Sequence, residues 1–310
     1  MVSLSEAKAI NATYTPRYTP TAIFAGGTSG IGRAMAAHLA RTTHGACNIV
    51  LVGRNRAAAE ALFASLPTGT GKEYMRAFVR CDVSRMKNVR AAAGELRARL
   101  EREHVNLNFL VLTTGVLRFS GRRETEEGID EKLALVYYSR FVWIQELVPL
   151  LEKVAGEGQD AKVMSVLAAG ALAERVDLDD LGLARRYGGV KAMKVAPTYN
   201  DLMLEKFAAL HPTVSFTHAF PGTVLTPILF PSSFPWKLLN PLLYVLYWFF
   251  AVSPDECAEY MWCALHTVGP GFHRRGERAQ DQDWKNYYGS DEAREKLWEH
   301  TREVTQTTTD

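Results

Sequence analysis

Thr21-Ala22-Ile23-Phe24-Ala25-Gly26-Gly27-Thr28-Ser29-Gly30-Ile31-Gly32 is the stretch whose reading decides the architecture. A short apolar run ends in glycines, and from Ile31 to Ala40 apolar residues recur at helical spacing, so the order is strand, glycine-rich turn, helix. Gly26 lets the chain turn sharply, Gly30 lets a phosphate approach the backbone, and Gly32 lets the helix lie close to the sheet. The opening amides of that helix then face the anion.

Outward from this unit the pattern continues. Asn48-Ile49-Val50-Leu51-Val52-Gly53 reads as a second strand, followed by an alanine- and leucine-rich helical stretch from Arg56 to Leu66. Further strand runs fall at 77–81, 109–112, 162–166 and 214–218, each separated by a helix-length segment. Six short apolar strands alternating with helices predict an α/β fold, a doubly wound parallel sheet of Rossmann-like type in a single domain. Residues 1–20, with Asn11, Thr13, Thr15, Pro16, Thr19 and Pro20 and no period, read as an N-terminal arm preceding a domain over 21–310. In such sheets ligands lie beyond the carboxyl ends of the strands, so residues just after each strand become the suspects.

Composition narrows the partners. With 47% hydrophobic and 23% charged residues the chain can bury a large core, and 36 Lys+Arg against 34 Asp+Glu leave a net charge of +2 without a basic stripe. No nucleic-acid partner is therefore expected, and small molecules are favoured. Cys47, Cys81, Cys257 and Cys263 show neither a C-x-x-C pair nor histidines at ligand spacing, so neither a metal site nor a disulfide framework is expected. The start, Met1-Val2-Ser3-Leu4-Ser5-Glu6, does not read as a secretory signal, and a cytoplasmic, reducing location is the expectation.

Ala25 to Gly32 resembles the T-G-x-x-x-G-I-G signature of the short-chain dehydrogenase/reductase family, with only the leading threonine replaced. The order of strands and helices matches from about residue 20 to 275, and the likeness is to retinol-dehydrogenase-like or fungal secondary-metabolism members with a degenerate catalytic motif. The resemblance implies a nicotinamide dinucleotide held by Gly26, Thr28, Ser29, Gly30, Ile31 and Gly32, with Asp82 and Val83 beside the adenine and Gly115 at the end of the fourth strand. Leu112-Thr113-Thr114-Gly115 stands where the family carries Asn-Asn-Ala-Gly, so the bracing amides of that turn are expected to be lost. At the end of the second strand an acid would hydrogen-bond a ribose diol, but Gly53 is followed by Arg54, whose guanidinium suits a 2′-phosphate; NADP(H) is the expected cofactor, and Arg33 could assist. Pro221, Gly222 and Thr226 resemble the family's P-G-x-x-x-T turn around the nicotinamide.

The proton-transfer residues are harder to locate. Family members use a tyrosine, a lysine four residues later and a serine; the literal match is Tyr187 with Lys191, and Ser165 is the nearby hydroxyl, so these three are the catalytic candidates. Pro221 lies 30 positions after Lys191, several more than the family's usual span. Aligning instead on Asp179-Asp180-Leu181 and the helix over 204–208 puts Met193 at the tyrosine place and Pro197 at the lysine place, with Leu167 or Ala168 at the serine and Val136 at the helical asparagine. Both registers stay open at this stage.

Beyond Thr226 lies an unusually apolar, aromatic segment, about 227–252, including Phe234, Trp236, Leu242, Tyr244, Tyr247, Trp248, Phe249 and Phe250. Three readings fit it: a lid over a lipophilic substrate, which is favoured, a face for a homodimer, or a peripheral membrane contact; it is too short for a span of ~20 apolar residues. The expected function is an NADP(H)-dependent oxidoreductase interconverting a carbonyl and an alcohol on a lipophilic small molecule of secondary metabolism. Two alternatives are a redox-neutral isomerase, cyclase or dehydratase, and a non-catalytic NADP(H)-binding protein.

Overall fold

The computed structural model describes residues 1–117, 121–230 and 236–306. Its centre is a seven-stranded, wholly parallel sheet in the order β3-β2-β1-β4-β5-β6-β7. The strands are β1 (Thr21–Ala25), β2 (Asn48–Gly53), β3 (Arg76–Arg80), β4 (Phe109–Leu112), β5 (Lys162–Val166), β6 (Ser215–Ala219) and β7 (Gly271–Arg275). Strands β1, β4, β5 and β6 are buried along their whole length, whereas the edge strands β3 and β7 are largely half-buried, as a sheet covered on both faces requires. The expected α/β architecture is what the chain adopts.

Helices α1 (Leu4–Ala12), α2 (Gly30–Thr42), α3 (Arg56–Ser65) and α9 (Pro254–His266) carry the core on one face of the sheet. The other face is covered by α4 (Met86–Arg102), α6 (Ser139–Gly156), α7 (Gly189–Leu210) and α10 (Asp291–Gln306). A short α5 (Glu131–Leu133) runs through a π turn, Ala134–Tyr138, into α6. α8 (Asn240–Trp248) stands in the apolar segment, of which 231–235 lie outside the described residues. Along β1, Ile23 and Ala25 join one core while Ala22 and Phe24 join the other, the period-two alternation of a strand buried on both faces.

Two elements depart from the sequence reading. The N-terminal arm contains a helix: Ser3 and Glu6 form a reciprocal capping box, and Asn11 reaches α9, its amide donating to the Glu259 carbonyl at 2.9 Å and carboxylate at 2.8 Å. The seventh strand reads Gly-Phe-His-Arg-Arg and shows no apolar run, because it is an edge strand whose fourth residue, Arg274, is buried against Asp201 of α7 at 3.1 Å. The start of α4 is held from a distance. Its amides are capped by a remote carboxylate, with Met86 N–H donating to Glu127 at 2.6 Å and Lys87 N–H at 2.9 Å, while Asp82 serves the turn before it.

Two histidines at the α1–α2–α9 junction are held neutral. Burial pushes His38 from 6.5 down to about 4 against the opposing pull of Glu259. His266, whose Nε2 lies 3.0 Å from Asn11, is also driven by burial to about 4, with the nearby Lys162 ammonium acting the same way. In the unfolded chain both take up protons near 6.5, so between these values the unfolded state binds more protons and stability is lost as pH falls through that window. Urea unfolding should give a free energy of unfolding that declines from pH ~7 to ~5, by on the order of 1 kcal/mol per histidine. A flat profile across that range would contradict the burial of neutral imidazoles.

Candidate functional site

The order of the sheet reverses between β1 and β4, and at their carboxyl ends a cleft of about 350 Å³ opens. Its floor is the first turn. Gly26 has φ +96°, and a Cβ there would come within 2.5 Å of the Thr113 Oγ1; a Cβ on Gly32 would meet the same oxygen at 2.6 Å and the Gly26 carbonyl at 2.7 Å. Only glycine fits at both places, and their smallness draws α2 down onto the strand ends. Ser29 is the N-cap of α2 but gives no side-chain cap, so the first amides of a thirteen-residue helix are left to whatever enters the cleft.

Around this turn the cleft is lined by Gly26, Thr28, Ser29, Gly30, Ile31, Arg54, Asp82, Val83, Gly115 and Thr226, all of them singled out from the sequence. Gly32, Pro221 and Gly222 do not line it; Gly32 acts beneath the turn, and Gly222, with φ +70°, shapes the loop after β6. Arg54 is exposed at the end of β2, and Arg33 is exposed on the first turn of α2. Burial works to raise the Asp82 carboxyl, but hydrogen bonds from the Ser84 hydroxyl (2.8 Å) and amide (3.1 Å), with the Arg54 and Arg85 guanidiniums, hold it below the ordinary carboxylate value. A carboxylate therefore faces the cleft beside a guanidinium.

The amides expected to be lost after β4 are absent, and two hydroxyls make contacts across this turn. The Thr113 hydroxyl lies 3.3 Å from the Ala25 carbonyl and 3.4 Å from that of Gly26, and the Thr114 hydroxyl donates to the Leu135 carbonyl at 3.0 Å. These hydroxyls tie the end of β4 to the first turn and to the π turn before α6. Thr113 and Thr114 line the cleft together with Glu131, Leu135, Val116 and Ile228, which the sequence reading did not propose as site residues. For the threonines the signal was present, since they occupy the turn that ends in Gly115; for the rest, only the folded chain brings them there.

The catalytic candidates lie elsewhere. Ser165 is sealed inside the protein, donating to Asn200 Oδ1 at 2.7 Å and accepting from Arg140. Lys191 is on the first turn of α7, where its ammonium meets Asp177 at 3.4 Å. Tyr187 precedes that helix, half-buried, with the Lys132 ammonium 5.4 Å from its ring centroid. None of the three is among the residues lining the cleft. Register explains this: α7 reaches β5 at Asn200, nine residues after Lys191, which at 1.5 Å per residue sets Lys191 back by about 14 Å along the axis. On the same helix Met193 is half-buried and Pro197 fully so, and neither carries a titratable group.

Behind the cleft lies a buried polar network that sequence reasoning did not assemble. Arg140 donates to Ser165 and, at 2.7 Å, to the Thr114 carbonyl; burial pushes its guanidinium down to about 9, so it is still charged at neutral pH. Asn200 Nδ2 donates to the Val136 carbonyl, exposed by the π turn, at 3.0 Å. His218 sits 2.6 Å from Asp201 through Nδ1 and accepts from the Ala168 amide through Nε2 at 3.4 Å. Burial lowers its pKa against the pull of Asp201, so the ring is neutral, and these partners assign the proton to Nδ1.

A parallel sheet whose switch point presents a glycine turn and uncapped helix amides defines a protein of the dinucleotide-binding, doubly wound class. Sequence comparison makes the assignment finer. The family profile described as short chain dehydrogenase matches residues 20–174. The chain is 36% identical over 262 residues, 84% of its length and 75% of the relative's, to the oxidoreductase AN1596 of Emericella nidulans. It is 24% identical to the polyprenol dehydrogenase of Homo sapiens over 94% of this chain and 87% of that one. Among solved structures it superposes on an NADPH-bound carbonyl reductase from chicken fatty liver with a TM-score of 0.59 at 18% identity, covering 86% of this chain and 99% of that one. The protein belongs to the short-chain dehydrogenase/reductase family.

The packing of the turn generates a direct test. Gly32→Ala forces a methyl group into the Thr113 hydroxyl and the Gly26 carbonyl, so dinucleotide affinity measured by calorimetry should fall at least tenfold, with a lowered unfolding midpoint. Unchanged affinity would show that the turn does not hold the ligand.

Proposed function

We propose that this chain is an NADP(H)-dependent oxidoreductase that interconverts a carbonyl and an alcohol on a lipophilic small molecule. The observation that carries the reading is the pairing, in one cleft, of uncapped α2 amides with Arg54 at the end of β2, the place where a carboxylate would select NAD(H). The residues present fit such a cofactor: the glycines leave a cradle that a Cβ would fill, the amides take a diphosphate, and Arg54 takes a 2′-phosphate through its fork of donors. When bound, the nicotinamide supplies the hydride. Asp82, kept ionised, borders the adenine side, and Thr226 closes over Gly30, whose added Cβ would lie 3.2 Å from the Thr226 methyl.

Support for a lipophilic substrate comes from Val116, Leu135 and Ile228 in the cleft wall and from the polyprenol named by one relative. Fungal oxidoreductases among the relatives support a place in secondary metabolism. Four buried, unpaired cysteines accord with a reducing, cytoplasmic setting.

A second reading is favoured by one observation, the position of Ser165, Tyr187 and Lys191 outside the cleft: the chain binds NADP(H) and a ligand without net redox turnover. Purified protein mixed with NADPH and a panel of lipophilic ketones separates the two. Cofactor consumption supports the oxidoreductase; NADPH binding with no consumption across the panel supports the second reading. Arg54→Glu tests selectivity, with an expected loss of about 10- to 100-fold in NADPH affinity and little change for NADH. Equal losses for both nucleotides would remove Arg54 from phosphate recognition. For a ketone that is turned over, Tyr187→Phe should leave kcat/KM within about twofold; a fall of ~10² or more would return Tyr187 to the chemistry.

A further inference from the structure

From Leu238 to Phe250 the chain has a surface unlike that of the other described residues. No charged residue occurs from Leu238 to Pro254, and none of the residues of α8 is buried. Phe249 is 77% exposed, Phe250 75%, Leu242 69% and Trp248 60%. Only Leu243 and Tyr247 are half-covered within the helix after Asn240; Tyr247 and Tyr244 pack on Phe230 at ring distances of 6.1 Å. Projected at 100° per residue, the exposed apolar side chains of α8 sweep about 200° of the helix circumference.

That arc decides what covers it. A helix seated on a protein surface hides a stripe a little over 100° wide, and one face of a nine-residue helix, ~14 Å long and ~10 Å across, offers far less than the ~800 Å² per partner of a standard interface. A second copy docked on α8 would leave about half of its apolar arc in water. Acyl chains and headgroup carbons can surround it instead. At ~14 Å the helix is too short to cross a ~30 Å hydrocarbon core, and no described helix is long and apolar enough to do so. Tyr244 and Trp248 are residue types that settle at the headgroup level.

We infer that α8 and the Phe249-Phe250 turn dock this protein peripherally on a lipid bilayer, with the exposed apolar arc immersed in the interface. The docking face adjoins the cleft through Phe230, two residues after Ile228, and it does not require the cofactor to be bound. Vesicles of phosphatidylcholine, mixed with the full chain in the absence of nucleotide and floated on a density gradient, test it. The parent protein should rise with the vesicles and show a blue-shifted tryptophan emission. The triple variant Leu242→Asp, Phe249→Asp, Phe250→Asp should lose at least tenfold in partition while retaining its unfolding midpoint and NADPH affinity, because α8 contributes no buried side chain. Phe249→Leu with Phe250→Leu should still float.

Three results would overturn the inference: a parent protein that stays at the bottom of the gradient, a triple variant that floats equally, or a parent that ignores vesicles but is a dimer by light scattering and becomes monomeric on the triple substitution. Because vesicle partition is read without NADPH, its outcome is separate from that of the proposed activity.

Discussion

Everything at the carboxyl edge of the sheet depends on how closely the first turn is pressed against the end of β4. Gly26 and Gly32 both abut the hydroxyl oxygen of Thr113, and that oxygen lies within reach of the carbonyls of Ala25 and Gly26. One side chain of a few atoms thus sets the separation of β1, β4 and α2. The helix amides, Arg54 and Asp82 converge on one volume because that separation is small. A larger residue at any of the three positions would move the helix away from the strands.

The sheet was legible because β1, β2 and β4 are apolar runs that end in glycine or a polar turn. β7 was not, since its burial is achieved by a guanidinium paired with Asp201 rather than by an apolar run. α1 carried a readable signal, the Ser3 and Glu6 of a capping box, which the prolines and threonines that follow it obscured. The glycine turn was legible for a local reason: its shape is set by backbone groups and the absence of side chains within a dozen consecutive residues. The catalytic candidates depend on a different kind of fact. Which residue of α7 meets β5 is a matter of tertiary register, and Asn200, not Lys191, is the one that does.

Where family members are implied to hold a proton-transfer apparatus, this chain has an internal charge. Arg140 is completely buried, its Nε has no hydrogen-bond partner, and its charge is spread over the Ser165 hydroxyl and the Thr114 carbonyl with no carboxylate among the described residues reaching it. Such a group is costly to bury, and the cost is offset by ordered dipoles rather than by an ion pair. The network couples the wall of the cleft, through Thr114, to β5 and α7. A separate buried cluster, Asp201 with His218 and Arg274, ties α7 to β6 and to the edge strand β7.

The long reach of these contacts bears on how the chain acquires its structure during synthesis. Asn11 finds its partner Glu259 only after 248 further residues, and Asp201 waits 73 residues for Arg274. A ribosome releases the amino end first, so α1 emerges with its docking surface still unmade. Both layers of helices close only after α9 and α10 have been made, and until then the nascent chain must keep a half-covered sheet from associating with its neighbours.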